Sequence, residues 1–154
     1  MEPTFGYLVS DVARLMRKIF DQRTRCIGLS LAQSRVLINV ERHAGINQAR
    51  LADLLEVRPI SLTRLLDRME ATGWIERRPD PDDRRAHRLY LTEKAFPLLD
   101  GIQTLASTTR AEALAGLSDD EQRVLTGLLR RVHGNLFKRE PVGRMQELDN
   151  DDKE

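Results

Sequence analysis

Cysteine is nearly missing: Cys26 is the single one among 154 residues. No intrachain disulfide can form, which agrees with a reducing compartment. Proline and glycine are sparse, at 6 and 9 residues, which excludes a collagen-like or Pro/Gly-rich disordered chain. No window approaches the run of about 18 apolar residues that a membrane span needs. The opening residues contain no compact apolar run followed by a small-residue cleavage site, so a cytoplasmic protein is expected, without membrane association. Catalytic motifs are missing as well. There is no glycine-rich phosphate loop, no G-x-S-x-G, no paired-cysteine motif and no His-Glu motif at helical spacing. His43, His87 and His133 have no metal-ligand spacing to one another or to Cys26. An enzyme is therefore not expected, and no metal or cofactor is implied.

What is present is a chain of 40% apolar and 32% charged residues, of a length that fits one domain or one domain with an extension. The composition suits a helix-rich globular protein. Positive and negative charges nearly cancel, at a formal +1, but they are unevenly placed. The segment 140–154 holds six acids against Arg144 and Lys153, which leaves residues 1–139 at +5. Of the 25 cations, 21 are arginine, the side chain suited to bidentate recognition of phosphates and bases. Nucleic acid is the partner this hints at.

Apolar residues at Phe5, Leu8, Val9, Val12, Leu15, Met16, Ile19 and Phe20 follow the rhythm of an amphipathic helix, which should stop near Gly28. Ser30 and Gln33 read as a capping box for a second helix with Val36, Leu37 and Val40 on its stripe, ended by Gly45. Asn47 can cap a short third helix that breaks around Val57, and Pro59 suits the first turn of a fourth. That fourth helix runs to about Thr72, with Leu62, Leu65, Leu66 and Met69 on one side and Gly73 at its end. Thr63, Arg64 and Asp67 point away from the leucine stripe, and Ser61 and Arg68 flank it. The period then changes to two. Residues 74–78 and 87–92 read as paired strands with Ile75, Leu89 and Leu91 facing inward, joined by a charged loop projecting into solvent. Thr92 can cap a fifth helix, made irregular by Pro97 and closed by Gly116. Ser118 and Glu121 form a second capping box for a sixth helix. The segment 140–154 reads as a disordered acidic tail.

A short helix, a turn, a helix with one polar face and a trailing ribbon with a basic tip make a winged helix-turn-helix. A helix fits the major groove, and the polar residues of its N-terminal half can meet base edges. Arg64 is the best candidate for direct readout, and Ser61 and Thr63 suit phosphate positioning. Arg84, Arg85 and Arg88, grouped at the far end of the loop, suit a narrow minor groove, and His87 lies close to phosphate. Asp82 or Asp83 can brace one of these arginines. Each feature alone suits a solvated surface; together, their order and spacing favour DNA. The competing reading is a winged helix used as a protein-interaction module, which Ile60 alone favours. Helices one, five and six are more apolar than one small lobe needs, and Gly127 and Gly134 would allow close approach. That fits a dimer better than an intramolecular bundle.

The segment from Leu62 to Ala95 resembles the signature of the MarR family of bacterial transcriptional regulators. Asp83-Arg-Arg-Ala-His-Arg88, Leu91-Thr-Glu-Lys-Ala95 and Ile27-Gly-Leu-Ser-Leu-Ala-Gln-Ser-Arg-Val-Leu37 are similar to the SlyA-type branch. The resemblance implies a mainly α fold with a small two- to three-stranded β-ribbon, a winged helix-turn-helix flanked by N- and C-terminal dimerisation helices. Its parts would be 1–29 and 93–139 for dimerisation, 30–92 for DNA binding, and the tail 140–154. It implies a homodimeric repressor on a pseudo-palindromic operator, with Pro59, Ser61, Thr63, Arg64 and Arg68 on or beside the recognition helix and Asp83, Arg84, Arg85 and His87 on the wing. It also implies release by a small aromatic or phenolic compound in a crevice between the dimerisation helices and the DNA-binding lobe. No residue of the sequence names that pocket; Arg14, Arg17 and Arg23 read better as a solvated or ion-paired face than as its anion site. Some relatives sense peroxide with a cysteine near the start of the first helix. Cys26 falls instead near that helix's end, which makes a redox switch the weaker alternative to an inert thiol.

Overall fold

The switches of period read from the sequence coincide with changes of element in the computed structural model, which describes residues 2–81, 83 and 85–138. Helix α1 (Phe5–Cys26) starts where Thr4 accepts a hydrogen bond from the Tyr7 amide. Helix α2 (Leu31–Arg42) opens on a reciprocal capping box. Ser30 Oγ accepts from the Gln33 amide at 3.2 Å, and Gln33 Oε1 accepts from the Ser30 amide at 2.8 Å, which satisfies two amides that the first turn leaves unpaired. Helix α3 (Gln48–Leu55) is capped by Asn47, and α4 (Pro59–Ala71) begins on its proline, as expected. Strands β2 (Ile75–Pro79) and β3 (His87–Leu91) pair antiparallel, Ile75 opposite Leu91 and Pro79 opposite His87. A third strand, β1 (Ile46–Asn47), joins the other edge of β3, so the sheet order is β1-β3-β2.

Thr92 departs from its expected role. Its hydroxyl donates to the Gly73 carbonyl at 2.5 Å and ties the end of the ribbon to the turn after α4. A single 3-10 turn (Glu93–Ala95) intervenes, and α5 (Phe96–Ala113) begins at Phe96 with Pro97 in its first turn, where the missing N–H costs nothing.

The chain forms two compact units, one up to Ala113 and one from Leu114. In the first, α2, α3 and α4 bury Leu37, Val40, Leu51, Leu62, Leu66 and Met69 against Ile75 and Leu89 of the sheet and Leu99 and Ile102 of α5. Helix α1 lies along α5, where Arg23 donates to Thr109 Oγ1 at 2.7 Å and pairs with Glu112 at 2.6 Å. Arg14 pairs with Asp11, and Arg17 donates to the Ala13 carbonyl. The second unit contains α6 (Asp119–Phe137), opened by the Ser118–Glu121 capping box. Hydrogen bonds from the Ser118 amide and hydroxyl hold the Glu121 carboxyl below the usual carboxylate range. The acidic tail 140–154 lies outside the described residues. No helix among the described residues is long and apolar enough to cross a membrane.

Gly45 carries a prediction. Its φ is +82°, and a Cβ built there would lie 2.9 Å from Tyr90 Oη and 3.3 Å from Cζ, while its amide donates to the Leu89 carbonyl at 2.9 Å. Gly28 has a similar φ of +79° with nothing within 4 Å. Gly28→Ala should lose only the left-handed backbone cost of about 1–2 kcal/mol. Gly45→Ala must also displace the tyrosine and should lose more. Equal losses in urea denaturation would remove Tyr90 from the explanation.

Candidate nucleic-acid interface

Helix α4 buries one side and presents the other. Leu62, Leu66 and Met69 are at most 1% exposed, and at about 100° per residue this places Ile60, Arg64 and Asp67 on the outward stripe. Ser61 and Arg68 lie on its flank and are exposed, as anticipated. Thr63 is half-buried. Instead of being free, its hydroxyl accepts from Gln48 Nε2 at 2.5 Å and donates to the Pro59 carbonyl at 3.0 Å, pinning α4 against the first residue of α3. The first turn of α4 holds no acid, so its positive dipole end stays available to an anion.

The carboxylates of α4 would repel a phosphate backbone if left free, but Arg77 of β2 takes up both Asp67 and Glu70. Its guanidinium bonds Asp67 at 2.7 Å and Glu70 at 2.5 Å, and its amide donates to Glu70 at 3.1 Å. With Arg77 only 16% exposed, these are charge-assisted bonds at the edge of the interior, and they fix the ribbon's angle to the helix. By contrast, the guanidinium groups of Arg58, Arg64, Arg68 and Arg85 have no carboxylate partner among the described residues. The lobe's arginines thus divide into braced ones that shape it and free ones that face outward.

The wing is built on Asp80 and Asp83. The Asp80 amide donates to the Ala86 carbonyl, and the Ala86 amide to the Asp83 carbonyl, closing the tip. Asp83 Oδ1 accepts from the Arg85 amide at 2.9 Å; it holds backbone, not a guanidinium as expected. The carboxylate that braces a guanidinium is Asp80, 2.9 Å from Arg88 Nε. Arg88 accordingly belongs to the sheet, opposite Arg78 and Asn47 in register, and not to the arginine group at the tip. Arg85 and His87 are exposed there, and Arg84 and Asp82 lie outside the described residues. Arg78 pairs with Glu76 and stacks over Tyr90, 4.3 Å from the ring centroid.

An open cavity of about 220 Å³ lies inside the lobe, between the start of α2, the end of α3 and the flank of α4. Leu55, Val57 and Leu65 line its apolar part, and Arg35 and Arg68 border it. Cys26 is the last residue of α1, exposed, with its thiol donating to the Gln22 carbonyl at 3.5 Å. No group of three His, Cys, Asp or Glu among the described residues could hold a metal ion.

Two packed helices with one polar face, followed by a braced ribbon, define a winged helix-turn-helix protein. Residues 27–86 match the MarR family model. The fold is similar to that of wild-type MarR from Escherichia coli without ligand, at a TM-score of 0.79 and 28% identity over 86% of this chain and 98% of that one. A cysteine-to-serine variant of the same protein, complexed with operator DNA, matches at 0.69 and 29% identity over 82% and 91%. A SlyA-like transcription regulator from Listeria monocytogenes shares the fold at 0.75 and 24% identity over 90% and 91%. The chain is thus similar to the MarR family over residues 27–86 and to the MarR fold over 86% of its length.

Proposed function

We propose that this protein is a sequence-specific regulator that binds double-stranded DNA as a homodimer on a pseudo-palindromic operator, and that a small aromatic or phenolic anion releases it. The observation that carries the reading is the outward face of α4, where Arg64 is exposed and unpaired among the described residues while the neighbouring Asp67 is neutralised by Arg77. A positive helix face with a braced ribbon beside it suits a major groove and the groove next to it. The operator complex of a similar structure supports the same use of the lobe.

Two apolar stripes support the dimer. Phe5, Leu8 and Val12 of α1 are 48–60% exposed, and Val124, Leu128 and Leu136 of α6 are 51–65% exposed. Side chains of that size in helical register call for a partner surface, and a second copy provides two-fold symmetry to match an inverted repeat. The open cavity bordered by Arg35 and Arg68 is lined by residues of the DNA-binding lobe alone, a different place for an effector from the expected crevice beside the dimerisation helices. The cavity suits a one-ring organic anion, and its Ser61, Leu65 and Arg68 belong to the helix that would read DNA, so a ligand there would favour one placement of that helix over another.

The wing tests the electrostatic half of this reading. Arg85→Ala should weaken binding to all AT-rich-flanked sites and lower the log–log salt slope by about one, measured by fluorescence anisotropy at several salt concentrations. Unchanged affinity and slope would remove Arg85 from the interface.

A further inference from the structure

Ile60 is the anomaly on the outward face of α4. It is 61% exposed, second in a helix whose buried side is carried by Leu62, Leu66 and Met69, and it lies one turn before Arg64 on the same stripe. Nothing local explains it. A β-branched side chain adds no helix propensity, and a first turn gains from polar or acidic residues rather than apolar ones. Pro59 beside it and Val57, 38% exposed, are the apolar residues nearest in sequence, and the exposed Arg58, Ser61 and Arg64 interrupt any wider apolar patch.

Resting on the reading of α4 as the recognition helix, we infer that Ile60 is a specificity-determining residue that packs on the C5-methyl group of a thymine beside the base read by Arg64. The thymine methyl is the one apolar feature on a base-pair edge in the major groove. An isolated exposed isoleucine at the leading end of a cationic helix face is matched in size and chemistry to it. A protein partner would need a wider apolar surface than this single side chain, and the surrounding guanidinium groups favour a polyanion.

The test compares the wild-type protein with Ile60→Ser on the binding site that the wild type selects from random DNA, with each thymine replaced in turn by deoxyuridine. That exchange removes the methyl and leaves pairing intact. At one thymine in each half-site the wild type should lose roughly fourfold in affinity, the worth of one buried methyl. Ile60→Ser, with its exposed position and a circular dichroism spectrum matching wild type, should lose nothing there and keep its preference at the bases read by Arg64. If the wild type is insensitive to every replacement, or Ile60→Ser remains as sensitive as wild type, the inference is overturned while the DNA-binding reading stands. If the folded wild type selects no sequence, both fall together.

Discussion

Arg64→Ala is expected to cut discrimination between operator and guanine-substituted operators by about 1–3 kcal/mol, the worth of a bidentate contact to one base. Affinity for unrelated DNA should change little. The physical basis is the division among the lobe's arginines: Arg77 and Arg88 have their donors bound by carboxylates, whereas Arg64 is exposed with no carboxylate partner among the described residues. Arg64→Lys refines the test, because lysine keeps the charge but loses the planar fork. It should retain the salt dependence of the wild type and still lose discrimination. The measurement is competition binding with operator variants, and a variant as selective as wild type would move direct readout to another residue.

The largest stability loss is expected from Leu66→Ala. Leu66 is 0% exposed at the centre of α4's inner side, within the cluster that joins α2, α3, the sheet and α5. Truncation removes buried apolar atoms and leaves a cavity that close-packed neighbours fill only in part, at a cost of about 2–5 kcal/mol. Leu65, half-buried beside the open cavity, should cost less on the same truncation. Urea denaturation of both variants decides the point: a loss below about 1 kcal/mol at Leu66 would mean that the lobe collapses around the vacancy.

How much of this was legible in the chain depends on the range of the interaction that determines it. Both capping boxes, at Ser30 with Gln33 and Ser118 with Glu121, were readable because each closes within four residues. So were Pro59 at the start of α4 and Gly73 at its end, since backbone preference is local. The winged helix-turn-helix followed from those signals in order. What stayed hidden was set by chain segments meeting from a distance. Strand β1 is two residues long and has no period to detect; pairing with Leu89 and Arg88 makes it a strand. Thr92 looked like a cap, but the Gly73 carbonyl lies within its reach. Thr63 looked free until Gln48 of α3 was placed beside it.

The same reasoning explains the candidate interface. The helical period puts Ser61, Arg64 and Arg68 on exposed positions, so the sequence could name them. It could not sort the arginines into braced and free, because Arg77 meets Asp67 and Glu70 only through the turn from α4 into β2, and Arg88 meets Asp80 only across the ribbon. Spacing carried one signal: Asp67 and Glu70 are three apart and therefore neighbours on the helix surface, a natural seat for one guanidinium.

The most direct test of the central claim is selection of bound fragments from random-sequence DNA by the purified protein, run at two salt concentrations. The account predicts an inverted repeat whose half-sites lie about one helical turn apart, about 34–36 Å centre to centre, recovered at both salts. Recovery of no shared sequence by folded protein would contradict it and would turn the exposed face of α4 into a surface for a protein partner.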